Sequence, residues 1–199
     1  MKFMSRKYEL RKRAETMQDT KRRITEAAVE LHGSVGPART TVTAVAERAG
    51  VQRHTVYRHF PTDAELFTAC SAHFADAHPL PDVEAWATIA DPSERLARGL
   101  GDLYGYYERT GHMWTHVFRD RDLVEAVGGA LAPFEDWLAT AAAALAAGWP
   151  VTGARRRVLG AAVRHAVDFA AWRSLVHDGQ LSRAQGVRLM TTLVERAAD

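Results

Sequence analysis

The chain has 199 residues, of which 47% are hydrophobic and 25% are charged, as in an ordinary globular protein with a sizeable core. Cys70 is its single cysteine, which excludes an intramolecular disulfide and a paired-cysteine zinc site. No apolar run reaches the ~18 residues that a membrane span needs, and no apolar segment follows the N-terminal charges as it would in a secretory signal. We therefore expect a soluble, cytoplasmic protein.

The charge is unevenly distributed along the chain. Residues 1–62 hold 13 Lys and Arg against 6 Asp and Glu, a net charge of +7, whereas residues 63–199 hold 13 against 18, a net charge of −5. This asymmetry indicates a basic N-terminal module that meets a polyanion, followed by an acidic part that does not. A solvated basic tail is the alternative interpretation.

The first part of the chain predicts four helices. Residues 1–18 are charged and aperiodic, and we predict a flexible basic arm there. A helix is expected from about residue 19 to the glycines that follow residue 32, because apolar residues recur at helical spacing. Two short helices are predicted at about 41–49 and 52–59, and a fourth begins after Pro61, where Thr62 can cap it.

The rest of the chain predicts further helices and no strands. One begins with Asp91-Pro92 as cap and first residue, and a short piece follows at 113–118. Long helices are expected around 131–145 and 153–177, and Ser182 begins the last one. The predicted fold is all-α, with an arm at 1–18, a small basic helical bundle at 19–63 and a larger helical domain at 64–199.

Residues 42–61 have the spacing of a helix-turn-helix. Ala46 is small where the second helix must approach closely. Gly50 occupies the turn, where a positive φ is cheap without a Cβ atom. Val56 is the apolar residue with which the second helix packs against the first. An ordinary helical hairpin is the alternative, since helix pairs with a glycine turn are common.

The outward side of the second of these helices carries hydrogen-bond donors and no carboxylate. Such a surface suits a phosphate-lined major groove. The residues in question are Gln52, Arg53, His54, Thr55, Tyr57, Arg58 and His59.

These residues together resemble the TetR (tetracycline-repressor-like) family of bacterial transcriptional regulators. The resemblance covers about residues 24–67 and implies a three-helix helix-turn-helix DNA-binding domain with a larger C-terminal helical domain for ligand binding and dimerisation. The matching stretches are Thr40-Thr41-Val42, Val45-Ala46-Glu47-Arg48-Ala49-Gly50-Val51, Thr55-Val56-Tyr57-Arg58-His59-Phe60-Pro61 and Glu65-Leu66-Phe67.

The resemblance also implies roles for individual residues. Thr41 would place its hydroxyl and backbone N–H on a phosphate, as helix N-termini do. Base edges would be reached by Arg53, His54 and Thr55. Tyr57 and His59 would contact phosphates. Arg58 would either contact a phosphate or face solvent. Val56 and Phe60 would be core residues.

Four positions depart from the family pattern. His54 stands where many members have glycine or alanine, and His32 and Pro37 each replace a common aromatic residue. Asp63 stands where a lysine usually grips a phosphate, so this acid removes a contact and adds repulsion. We hypothesise that the basic arm compensates by lying along phosphates or entering a minor groove, because residues 1–23 hold nine Lys and Arg against three acids.

The resemblance implies that the last two long helices pair with those of a second subunit, in a homodimer that spaces two recognition helices along DNA. Some of the residues expected at this interface could instead be intrachain core. They are Trp172, Val176, Val187, Met190 and Val194. An effector pocket is expected among clustered aromatic and polar-tipped residues, which could equally be core. They are Tyr104, Tyr107, Trp114, Phe118, Phe134, Trp137, His165 and Phe169.

The predicted function is a ligand-responsive, sequence-specific DNA-binding transcriptional regulator, a repressor that a small molecule releases from a palindromic operator. We expect no enzymatic activity, no cofactor and no metal. The alternative is a small-molecule-binding or metal-assisted enzyme that uses the aromatic cavity, with His112 and His116 at helical i, i+4 spacing. Cys70 is expected to be a small core residue.

Overall fold

The computed structural model describes residues 2–199, with side chains throughout that range except at positions 2–7 and 10. The described residues form helices and no strand, which confirms the all-α prediction. None of these helices is both long and apolar enough to span a bilayer. The helices are α1 (Lys2–Ser34), α2 (Val42–Ala49), α3 (Arg53–His59), α4 (Asp63–Ala77), α5 (Val83–Ala87), α6 (Pro92–Asp120), α7 (Glu125–Leu145), α8 (Gly153–Val167), α9 (Phe169–Trp172) and α10 (Arg183–Ala198).

Helix α1 corrects the prediction of a flexible arm at residues 1–18. Its first residue is Lys2, and it continues without a break into the predicted first helix. The N-terminal sequence is rich in residues that favour helix, and its charges stand at helical spacing. Arg11 pairs with Glu15 at 2.9 Å, and Arg22 pairs with Glu26 at 2.8 Å. What resembled an aperiodic basic tail is therefore a solvent-exposed, ion-paired helix.

The chain forms two compact units whose limits differ from the predicted domains. The first unit contains Met1–Ala77 and Thr115–Ala130, and the second contains His78–Trp114 and Leu131–Asp199. Helix α4 packs on α1 and so belongs to the first unit, not to the C-terminal domain predicted at 64–199. Helix α6 contributes residues to both units, because residues 115–120 are counted with the first.

The core of the first unit is built from four helices. Cys70 is buried in this core as expected, and burial raises the pKa of its thiol to about 12, so the thiol stays protonated and packs as an apolar group. The other buried members are Ile24, Ala27 and Ala28 of α1, Val45, Ala46 and Ala49 of α2, Val56 of α3 with the adjoining Phe60, and Leu66 of α4.

The later helices differ from the predicted ones at two points. The piece expected at 113–118 is the continuous end of α6. The helix expected at 153–177 is interrupted at Asp168, whose backbone is extended and whose carboxylate accepts the N–H of Ala170 at 2.7 Å. Asp168 thus ends α8 and caps α9, and a π-helical turn, Arg173–Asp178, follows. No proline or glycine marks this break, so the sequence pattern did not reveal it.

His32 is a buried titratable group in the first unit. Its ring stacks on Phe67, with 4.7 Å between ring centroids and 6° between the planes. Burial lowers the pKa of the imidazole to about 4, because the cation loses its hydration there. The folded protein therefore holds His32 neutral at pH values where the unfolded chain protonates it.

Replacing His32 by Phe should flatten the dependence of stability on pH. In the native chain the unfolded state takes up the proton near pH 6.5 and the folded state only near pH 4. The free energy of unfolding should therefore fall as the pH drops through this window, by on the order of 3 kcal/mol at most. Urea denaturation of both proteins across the window measures the difference, and parallel curves would contradict this assignment.

Candidate functional site

Helices α2 and α3 form a helix-turn-helix. Thr41 caps α2, and its side-chain oxygen accepts the N–H of Ala44 at 3.1 Å. Gly50 has φ 64° and ψ 40°, the left-handed conformation predicted for the turn. The N–H of Val51 then donates to the carbonyl of Ala46 at 2.9 Å, which closes α2 and starts the approach to α3.

The packing of α3 leaves its polar side on the surface. Val56 and Ala46 are buried in the same core, as predicted. Phe60, the residue directly after α3, is buried there as well. Because α3 has only seven residues, burying this one apolar stripe turns the remaining side chains outward. Gln52, Arg53, His54, Tyr57 and Arg58 are exposed, Thr55 and His59 are half-buried, and Thr41 is exposed at the start of α2.

Arg53 and Tyr57 interact on this exposed surface. The Nη2 atom of Arg53 donates to the Tyr57 hydroxyl at 3.2 Å, and the guanidinium carbon lies 5.6 Å from the centre of the ring. Tyr57 is 42% exposed, so the pair lies open to solvent. The contact uses one of the guanidinium donors of Arg53. The other guanidinium N–H groups can form a bidentate hydrogen bond.

His59 is the last residue of α3 and is half-buried. Partial burial lowers the pKa of its ring, and the positive charges of Arg58 and Lys21 lower it further. The Nε2 atom is buried and has no hydrogen-bond partner among the described residues. Lys21 of α1 lies 5.3 Å from the centre of the Phe60 ring, directly after this position.

A basic residue of α1 stabilises the turn of the motif. Arg23 donates from Nη2 to the carbonyl of Ala49 and, at 3.4 Å, to that of Gly50. A guanidinium at the C-terminal carbonyls of α2 satisfies exposed acceptors and opposes the negative end of the helix dipole. In the sequence Arg23 is one more charge of the basic arm, and nothing there indicates this structural contact.

The end of α6 holds the connection between α1 and α2, within the first unit. The buried carboxylate of Asp120 accepts the N–H of Ala38 at 3.0 Å, and Arg119 donates to the carbonyl of Val35 at 3.0 Å. Arg119 also pairs with Asp120, which lowers the pKa of the carboxyl and keeps it ionised. Between these contacts Gly36 has φ 96°, and a Cβ atom there would overlap both side chains.

The two histidines considered as a metal site lie in different surroundings. His116 lies in the first unit, where its Nδ1 atom is 3.0 Å from the carbonyl oxygen of Gly33. His112 is exposed and belongs to the second unit. Among residues 2–199, as far as their side chains are described, no group of three or more His, Cys, Asp or Glu could hold a metal ion.

The aromatic residues of the second unit form a packed cluster. Trp114 stacks on Phe134 with 4.2 Å between centroids, and the rings of Tyr107 and Phe169 meet edge to face at 5.3 Å. Two expected members are corrected. His165 is exposed, because α8 turns Val163, Ala166 and Val167 inward instead. Phe118 is half-buried and belongs to the first unit.

Some polar groups of this cluster form hydrogen bonds and one does not. The hydroxyls of Tyr104 and Tyr107 donate to the carbonyls of Ala166 and Val167 at 3.0 and 2.9 Å, just before the break at Asp168. Buried Trp172, in contrast, has an indole N–H with no partner among the described residues. The cluster therefore contains one buried donor whose hydrogen bond no described residue satisfies.

Three of the five residues predicted for a dimer interface are corrected, because Trp172, Met190 and Val194 are buried within the chain. Val176 and Val187 are half-buried, and their place in an interface stays a prediction. The large apolar side chains that α8 and α10 expose lie elsewhere on these helices. They are Val158, Leu189 and Leu193, which are 56%, 40% and 52% exposed.

Part of the chain matches a known protein family. Residues 24–70 match the model described as bacterial regulatory proteins, tetR family. The HTH-type transcriptional regulator TtgR of Pseudomonas putida is 39% identical over 69 residues, which make up 35% of this chain and 33% of TtgR. The match thus spans about a third of that relative's length.

Solved structures resemble the chain over most of its length. A TetR-like transcriptional regulator from Rhodococcus sp. RHA1 gives a TM-score of 0.62 at 21% identity, covering 89% of this chain and 94% of that one. A tetR-family transcriptional regulator from Streptomyces coelicolor gives 0.58 at 18% identity, covering 90% and 79%. At these identities the likeness concerns the fold.

The fold and the exposed side of α3 define a helix-turn-helix protein with a second helical unit. The resemblance inferred from the motif residues is confirmed for residues 24–70, which match the model of the tetR family of bacterial regulatory proteins.

Replacing Gly50 by Ala should destabilise the first unit by about 1–2 kcal/mol, since Ala is strained at positive φ. The added Cβ would also lie 2.9 Å from Nη2 of Arg23 and disturb its contact with α2. Gly129 of α7 is the matched control, because a Cβ there meets nothing within 4 Å. Gly129→Ala should be neutral or stabilising by about 0.5–1 kcal/mol. Equal effects in thermal unfolding would argue against the strained turn.

Proposed function

We propose that the protein is a sequence-specific transcriptional regulator that binds DNA through α3, a repressor released from a palindromic operator when a small molecule binds. The observation that carries the proposal is the outward side of α3, which together with its N-cap Gln52 presents seven polar residues without a carboxylate. Such a helix can enter a major groove between phosphates without electrostatic repulsion. It acts as a binding protein of the cytoplasm and catalyses no reaction.

The active form in this proposal is a homodimer. A palindromic operator needs two copies of α3 spaced by roughly 34 Å or a multiple of it. Val158 of α8 and Leu189 and Leu193 of α10 form an exposed apolar face on two helices that pack together. A second copy of the chain can bury this face against its own, giving a four-helix interface.

The small-molecule site in this proposal is the aromatic cluster of the second unit. Aromatic rings suit a flat or apolar ligand, and the N–H of Trp172 can hold one acceptor atom of it. Helix α6 carries Tyr104 and Tyr107 of the cluster as well as Asp120 of the first unit. A ligand that prefers one position of α6 would thereby shift the affinity for DNA.

Selection from a pool of random duplexes tests the proposal without knowledge of the regulated genes. The full chain is expected to enrich an inverted repeat, and binding to it should weaken steeply with salt because phosphate contacts release counterions. A scrambled duplex of equal length is the control. Binding that is equal for both duplexes, or absent for both, would overturn the proposal.

Arg53→Ala should lower affinity for the selected operator by roughly 1–3 kcal/mol and relax the base preference at one position of each half-site. Tyr57→Ala should weaken binding to all sequences alike, since a phosphate contact carries no sequence information. Because the two side chains interact, the double variant should lose less than the sum of the two effects. Selection repeated with each variant gives the preference, and an unchanged preference in Arg53→Ala removes the base-reading role.

Asp63→Lys should strengthen operator binding about tenfold. It should also steepen the slope of log K against log salt concentration by about one, as expected for one added phosphate contact. Asp63 is exposed at the first residue of α4, and the lysine would supply the phosphate contact that the family pattern places there. Asp76→Lys makes the same change of charge at an exposed position near the other end of α4. If both variants gain equally, general attraction and not a local contact explains the effect.

A further inference from the structure

A basic groove lies between the N-terminal part of α1 and the end of α3. It encloses about 550 Å³ and is lined on one side by Lys12, Arg13 and Met17 and on the other by Arg58 and His59. All of it belongs to the first unit. The groove exists because α1 extends well before the predicted helix start, alongside the end of the recognition helix.

The groove is lined by three cationic side chains and one carboxylate. Lys12, Arg13 and Arg58 form no ion pair with any residue whose side chain is described. Glu9 is the carboxylate that lines the groove. Two other arginines of α1, Arg11 and Arg22, are bound to neighbouring acids, as described above. In α1, therefore, Arg11 and Arg22 are neutralised by acids, whereas Lys12 and Arg13 can still bind an anion.

The groove continues the exposed polar side of α3. Arg58 and His59 are the last two residues of α3, so the groove begins where the predicted base-reading residues end. The buried Nε2 atom of His59, which has no partner among the described residues, is a further polar group at this position. Lys12 and Arg13 are carried by a continuous helix, so their positions are defined relative to α3.

We infer that this groove binds a phosphate of the operator backbone, next to the bases that α3 reads, through Lys12, Arg13 and Arg58. The inference rests on the proposed function, since it extends the same DNA interface. It also accounts for Asp63: the chain lacks the usual cation at the start of α4 and provides cations on α1 instead. A phosphodiester fits because it needs several donors and positive charge but no sequence-specific partner.

The test compares two double variants of the full chain that lose the same charge. Lys12→Ala/Arg13→Ala removes the groove cations, and Arg11→Ala/Arg22→Ala removes the ion-paired arginines. Fluorescence anisotropy with the selected operator should show about a tenfold or greater loss for the first variant and less than threefold for the second. The salt slope of the first should decrease by about one to two, with unchanged base preference.

A shortened operator locates the contact. Trimming the duplex at the flanks should weaken the native chain and leave Lys12→Ala/Arg13→Ala almost unaffected, because that variant has already lost the flanking phosphate. Arg58→Gln provides a second variant without substitutions in α1, and circular dichroism verifies that each variant is folded. Arg58→Gln should also reduce the affinity for the operator and the salt slope.

The outcomes separate the two proposals. If the native chain binds no DNA, the proposed function fails and the groove assignment fails with it. If the native chain binds its operator but both double variants lose equal affinity, the attraction is diffuse and the groove is not a phosphate site. Equal sensitivity of the native chain and the groove variant to trimming would also overturn the inference.

Discussion

Burial of one apolar stripe of α3 is the constraint on which the rest of the site depends. A helix of seven residues is too short to be stable alone, so its order comes from packing Val56 and Phe60 into the core of the first unit. The left-handed Gly50 sets the angle at which this packing occurs. Once the stripe is buried, the direction of every other side chain of α3 is decided. The exposed donors are thus a consequence of core packing, and Ala46 contributes by leaving room for Val56.

Helix α1 uses positive charge for two purposes, and the partner of each residue distinguishes them. Arg23 and Lys21 act within the protein, on the carbonyls that end α2 and on the Phe60 ring. Lys12 and Arg13 have no ion-pair partner among the described side chains and lie beside the end of α3. Net charge could not separate these roles, because a cation bound to a backbone carbonyl contributes as much to the total as one that faces solvent.

The sequence predicted the helix-turn-helix well because that motif is local. The residues that define it, from Thr41 to Phe60, interact with neighbours a few positions away, and their types fit one geometry. The errors concern distant partners and helix phase. Asp168 ends α8 by capping α9, and no proline or glycine in the sequence indicates this break. On α10, Met190 and Val194 face the core while Leu189 and Leu193 face solvent, a rotation of one residue that an apolar pattern alone does not fix.

The contacts of Asp120 show why such distant partners matter for the site. Its carboxylate is buried against the connection that leads into α2, 82 positions away from Ala38 in the chain. A buried carboxylate tolerates little displacement, because losing Arg119 or the N–H of Ala38 would leave a charge without compensation. Under the proposed function this makes the start of α2, where Thr41 would contact a phosphate, sensitive to the position of the end of α6.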